Sequence, residues 1–200
     1  MKYKDNYDID YSKRDYHKGV DEAFIHRWSP RSFQKADLSH ETQTVLFEAA
    51  RWSPSCFNEQ PWVFITNKDE NDFPVFLNLL SEQNQQWAKN ASLLGFLFAR
   101  KVFSHSGRDN YWAPFDCGAA WMALTLQARK LGLYTHAMAG INSDETYKVL
   151  KISGEKYQVM CGFAIGVIDV PDKLPDAVRE NESPNIRKKL YTFWKQGSND

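Results

Sequence analysis

The stretch from residue 112 to residue 131 constrains this chain more than any other. It reads as one long helix and carries its own stop signal. Arg129 and Lys130 fall in the last turn, where cations meet the negative end of the helix dipole. Gly132 follows and can take the left-handed conformation that ends a helix, and apolar Leu133 returns the chain to the interior. Phe115, Ala119, Met122, Ala123 and Leu126 recur on one stripe, the expected inward face. On either side lie continuous apolar runs, residues 93–99 and 159–168, each of strand length.

Shorter elements fill the rest. A short helix is expected over residues 20–25, ended by the Ser29-Pro30 step. A second helix is expected over 39–52, with Ser39 as N-cap and Val45, Leu46, Ala49 and Ala50 on its buried face. Residues 62–66 read as a buried strand, 73–89 as mostly helix, 107–110 as a loop and 134–138 as a short strand. Ser143 is the expected cap of a helix running to Leu150. Gly162 and Gly166 stand where a side chain would obstruct a neighbour. Short strands separated by helices predict an α+β or α/β fold of three layers around one sheet.

Composition excludes several functions. Twenty-five basic residues balance twenty-five acidic ones, so the basic excess that a nucleic-acid surface or a polybasic membrane anchor needs is absent. No apolar run is long enough to span a bilayer, and the polar start is unlike a secretory signal. Cys56, Cys117 and Cys161 show neither metal-like nor redox spacing, which predicts free thiols in a reducing cytoplasm. The histidines at 17, 26, 40, 105 and 136 lack ligand spacing, so no metal site is expected. A Gly-x-Gly-x-x-Gly turn, a Walker loop and a nucleophile elbow are all missing.

Two polar loops remain. Arg27-x-Ser29-x-Arg31 sets two guanidiniums and a hydroxyl in a proline-stiffened turn. In an extended backbone the three would project to one side and could hold phosphate oxygens. A solvated basic turn is the other reading. The second loop, Pro54-Ser55-Cys56-Phe57-Asn58-Glu59-Gln60-Pro61-Trp62, offers hydroxyl, amide and backbone donors, or is a plain Asn/Ser turn.

Taken together these residues resemble the nitroreductase family. Arg27-Trp28-Ser29-Pro30-Arg31 is similar to its R-x-S-x-R phosphate motif. Residues 49–62 resemble its A-A-R-x-A-P-S-x-x-N-x-Q-P-W segment almost throughout. Asp116-x-Gly118 opening a long helix that ends Lys130-Leu131-Gly132-Leu133, and Arg187-Lys188-Lys189-Leu190, match two further blocks in order over roughly residues 20–190. The resemblance implies an α+β sandwich, a mostly antiparallel sheet flanked by helices, built as a homodimer with exchanged arms and FMN at the interface. An N-terminal arm (1–19), a flavin domain (20–190) and a tail (191–200) would follow.

It further implies roles. Arg27, Trp28, Ser29 and Arg31 would form the phosphate and ribityl turn, with Arg187 adding a second phosphate contact. Pro54, Ser55, Cys56 and Asn58 would come from the other subunit. Asn84 would meet the pyrimidine edge of the flavin, and Met138, Ala139 and Gly140 would face its N5 and O4. Phe57, Tyr111 or Trp112 would line the face above the ring. The implied reaction moves electrons from NADH or NADPH to nitroaromatics, quinones, enones or flavins by a ping-pong scheme, without a side-chain nucleophile. A protein that stores or senses FMN without turnover is the alternative. The chain departs from the pattern at Trp87 and Asn185, where lysines are frequent, and at Ala139 and Lys189, where glutamate and proline occur; a missing lysine at Trp87 would shift the flavin potential.

Overall fold

The computed structural model describes residues 3–198. The ends of the two expected arms, residues 1–2 and 199–200, lie outside the described residues. Asp21 caps α1 (Glu22–His26), accepting from the Ala23 N–H. A two-residue strand, β1 (Phe33–Gln34), precedes α2 (His40–Arg51), which Ser39 caps by accepting from the Thr42 N–H at 3.2 Å. Then come β2 (Trp62–Thr66), α3 (Phe73–Asn78), α4 (Glu82–Ala88), β3 (Leu93–Arg100) and α5 (Ala113–Leu131). The chain continues through β4 (Tyr134–Met138), α6 (Ser143–Val149), β5 (Tyr157–Ile168) and α7 (Asp176–Arg179).

Every strand pairing is antiparallel. The sheet runs β1-β5-β3-β2, with β4 also on β5. β5 is central: it pairs with β3 along one edge, and with β4 and then β1 along the other. Alternation along β3 sorts the core into two layers. Leu93, Leu97 and Ala99 pack with Phe163, Ile165 and Val167 under α2 and α5. Leu94, Phe96 and Phe98 turn to the opposite face, toward Phe76, Leu80 and Trp87 of the α3–α4 side. Gly162 and Gly166 keep the sheet surface flat there: a Cβ would stand 2.8 Å from Leu80 and 2.9 Å from Phe33 respectively.

Several expectations change. α5 ends where expected and starts one residue later, with Trp112 at its N-cap position, but its buried stripe is a different one. Ala113, Cys117, Ala120, Leu124 and Ala128 face the sheet, while Phe115 is 75% exposed. The helix is apolar on both faces, so periodicity alone could not choose between them. On α2, Leu46 and Ala50 are buried but Val45 is exposed. β2 is half-buried rather than buried, because it is an edge strand. The helix expected over 73–89 breaks at residues 79–81, where the chain pairs instead with the segment after β4: Ser81 N–H donates to Gly140 at 2.9 Å and Asn142 N–H to Leu79 at 2.8 Å. Asn142, not Ser143, caps α6 by accepting from the Glu145 N–H.

The N-terminal segment lies on its own body. Tyr3 N–H donates to Leu131 carbonyl at 2.7 Å, and Asn6 donates to Asp169 at 2.9 Å. Tyr7, Ile9 and Tyr11 pack against the core. Gly132 takes φ +84°, as its place after α5 requires, and a Cβ there would collide with the Tyr3 backbone.

Candidate active site

The turn after α1 is held by contacts from distant parts of the chain. Arg27 is extended at the C-terminus of α1 (φ −78°, ψ 120°), and its Nη1 lies 3.4 Å from Ser29 Oγ. These two converge as the spacing predicts. Arg31 departs from them: its guanidinium faces buried Glu182, 3.8 Å away. The Glu182 carboxylate also accepts from the Arg31 N–H at 2.6 Å and the Ser32 N–H at 2.8 Å. Burial pushes its pKa up, against the pull of those donors and of Arg31. Trp28 is 2% exposed and its indole meets Tyr134 edge-on at 6.3 Å. Its side chain therefore belongs to the core, and only its backbone lies in the turn.

Burial lowers the Arg27 pKa, and the nearby charges of Arg187 and Arg14 lower it further. Among the described residues, no carboxylate forms an ion pair with Arg14, Arg27 or Arg187. Like charges gathered without a counterion are costly, and an anion relieves the cost.

His136 on β4 locks the turn to the sheet. Its Nδ1 lies 2.9 Å from Pro30 carbonyl, so that nitrogen carries the proton and donates, and the ring packs on Trp87 at 4.7 Å. Trp87 is thus a buried support between Phe33 and His136. Burial lowers the His136 pKa to about 4, with the Arg31 and Arg27 charges adding to the effect. An unfolded histidine takes its proton near pH 6.5. As pH falls from there toward 4, the unfolded chain binds a proton that the folded chain refuses, and stability falls. At pH 5 the expected loss relative to pH 7 is about 2 kcal/mol. Urea unfolding at the two pH values should show it in the wild type, and His136→Gln should abolish that increment.

Beyond β4 the Gly140 carbonyl accepts from Ser81 N–H at 2.9 Å and Asn84 Nδ2 at 3.0 Å. A Cβ on Gly140 would stand 2.6 Å from Ser81 Oγ and 2.7 Å from Asn84 Nδ2, so a larger residue would push these side chains aside and disturb the Asn84 hydrogen bond. Asn84 therefore spends its amide N–H on this peptide, which fixes the backbone at Ala139-Gly140. The Met138 side chain is buried in the core, while Ala139 is exposed.

The Pro54–Asn58 loop sits elsewhere. Cys56 N–H donates to the Asp116 carboxylate at 3.1 Å, in the first turn of α5. Ser55 Oγ accepts from Gln60 N–H at 2.9 Å, and Asn58 Oδ1 from Gln60 Nε2 at 3.0 Å. Phe57, Asn58 and Gln60 have φ of +52°, +56° and +50°, so the loop is tightly wound. Phe57 and Tyr111 are 80% and 84% exposed, with Trp112 also open. The turn, in contrast, packs on Tyr134, just past the other end of α5. From Asp116 to Arg129 the helix axis rises about 20 Å. Within one chain the structure does not bring the two loops together.

Arg14, Glu182 and His136 escape a local reading of the sequence. The only signal for His136 was its apolar strand context. Among the described residues no group of three or more His, Cys, Asp or Glu could hold a metal ion, and no helix is long and apolar enough to cross a membrane.

The nitroreductase family model matches residues 25–94 and 76–167, and the chain belongs to the nitroreductase family. A protein of Archaeoglobus fulgidus, provisionally named an NADH dehydrogenase/NAD(P)H nitroreductase, is 32% identical over 127 residues, 62% of this chain and 70% of the relative. A solved oxidoreductase containing FMN is 38% identical, with TM-score 0.88 over 94% of this chain and 96% of its own. The enone reductase CLA-ER, from a gut-bacterial fatty-acid saturation pathway, shares the fold at 19% identity, with TM-score 0.65 over 77% of this chain and 90% of its own.

Proposed function

We propose that this chain is an FMN-dependent oxidoreductase that takes electrons from NADH or NADPH and passes them to small electron-poor acceptors in alternating half-reactions. Nitroaromatics, quinones, enones and free flavins are the acceptor classes. The observation that carries the reading is the cationic cluster at the turn, where the charges of Arg187 and Arg14 bear on buried Arg27 and, among the described residues, no carboxylate pairs with them. That donor set fits a phosphate. Arg27, Ser29 and Arg187 would hold it, with Arg31 positioned by Glu182 at the rim. Asn84 and Ser81 orient the Ala139-Gly140 backbone toward the ring. When bound, FMN supplies hydride acceptance and donation; the chain supplies grip, orientation and exclusion of water. Free Cys56, Cys117 and Cys161 are compatible with a cytoplasmic setting.

The site is proposed to be completed by a second copy. Phe115, in the first turn of α5, is exposed, as are Trp52, Phe57 and Trp112. Exposed apolar area of this kind marks an interaction surface. If two copies pack along α5 in opposite directions, the Pro54–Asn58 loop of each reaches the arginine turn of the other. The chain would then divide as a short N-terminal arm, a flavin domain through residue 190 and a tail.

The visible spectrum of purified protein tests the reading. Yellow protein is expected to bleach with anaerobic NADH or NADPH and to recolour with a quinone or nitroaromatic. Phe115→Asp, on an exposed position, is expected to shift sedimentation to the monomer and to lose the colour. Colourless, monomeric wild type that ignores added FMN would defeat it.

A further inference from the structure

The proposed phosphate turn has a neighbour that the sequence motifs do not include. Arg14 lies on the N-terminal segment, and its Nη1 donates to the carbonyls of Ile25 and, at 3.0 Å, of Arg27. The guanidinium is thereby pinned at the entry to the turn. Its Nε and Nη2 are buried with no hydrogen-bond partner. Leaving charged donors buried and unmet is expensive, so such groups usually have a ligand or counterion. Among the described residues none supplies one: the adjacent carboxylate, Asp15, is held 2.5 Å from Lys189 Nζ. That ion pair also ties the N-terminal segment to the C-terminal segment carrying Arg187.

We infer that Arg14 is the third member of one anion site with Arg27 and Arg187, so that binding a phosphate fastens both terminal segments to the body of the enzyme. The inference rests on the flavin reading for the identity of the phosphate, but not for the existence of the site. Three guanidiniums come from three separate segments: residues 10–16, the turn at 27–31, and residues 185–189. Burial and the Arg187 charge both lower the Arg14 pKa, and the Arg27 pKa is lowered in turn by Arg187 and Arg14. This mutual repulsion is what a dianion relieves. Arg14 acts as a positioning residue: it fixes the Arg27 carbonyl and adds its charge, while Arg27 and Arg187 are the proposed phosphate contacts.

Arg14→Gln and Arg14→Lys, compared with wild type, test the role. The readouts are FMN and riboflavin affinity by flavin fluorescence, and the melting-temperature shift of apoprotein with inorganic phosphate. Arg14→Gln is expected to weaken FMN at least tenfold, to leave riboflavin affinity within twofold, and to lose the phosphate shift. Arg14→Lys should keep most of that shift. FMN also should protect residues 185–198 from limited proteolysis in wild type but not in Arg14→Gln. FMN and phosphate responses within twofold of wild type in Arg14→Gln overturn the proposal, as does equal weakening of riboflavin. A wild type that answers to phosphate but not to FMN overturns the flavin reading and leaves the anion site standing. One that answers to neither overturns both.

Discussion

Arg27→Ala is expected to weaken FMN binding on the order of a hundredfold while the flavin-free protein melts no lower than wild type. A charge-assisted hydrogen bond contributes about 1.5–3 kcal/mol, and a guanidinium facing a phosphate makes one or two. Losing them moves affinity by one to two powers of ten. Most substitutions at a half-buried arginine also lower stability. Here the opposite sign is anticipated for the empty protein, since the lost charge faces Arg14 and Arg187 and is itself disfavoured by burial. Fluorescence titration of FMN gives the first quantity and a melting curve of apoprotein the second. A parallel loss of both would mean that Arg27 is part of the scaffold and not a ligand.

The largest effect on stability is expected at Phe163. The ring is fully buried, 5.4 Å from Trp121 and 6.0 Å from Phe64. It also fills the space above Gly95: a Cβ on that glycine would stand 2.4 Å from Phe163 Cζ. Truncating such a phenylalanine costs about 3–5 kcal/mol, a large share of a domain's stability. Phe163→Ala should therefore unfold at much lower urea. Gly95→Ala should destabilise the wild type by forcing the ring aside, yet cost less in the Phe163→Ala background. Relief would be incomplete, because the same Cβ also meets the Ile65 carbonyl at 2.8 Å. Strictly additive effects in the double-mutant cycle would show that the two positions do not share this space.

Local chemistry was readable in the sequence where it was self-contained. The end of α5 at Gly132, the Ser39 cap and the bounds of β2 and β4 depend on neighbours a few residues away, and all three agree with the structure. What depends on a partner far along the chain was not readable. The break between α3 and α4 is set by residues 140–142, and the inward face of α5 by which side meets β3 and β5. The same division runs through the candidate site. Arg27, Ser29 and the Pro54–Asn58 loop stand in compact motifs, whereas Glu182 reaches the turn from 151 residues away and His136 from 106. Arg14, thirteen residues before Arg27, lies in a segment whose composition suggested only an arm.

If two copies close each other's pockets as proposed, the placement of the two polar loops at opposite ends of α5 links pigment and partner by mass action. With each pocket closed by the other copy, as proposed, flavin binds the pair far better than the single chain, and the pair in turn holds together better when loaded. Dilution would then strip cofactor as well as separate subunits, and supplying FMN in excess would oppose both.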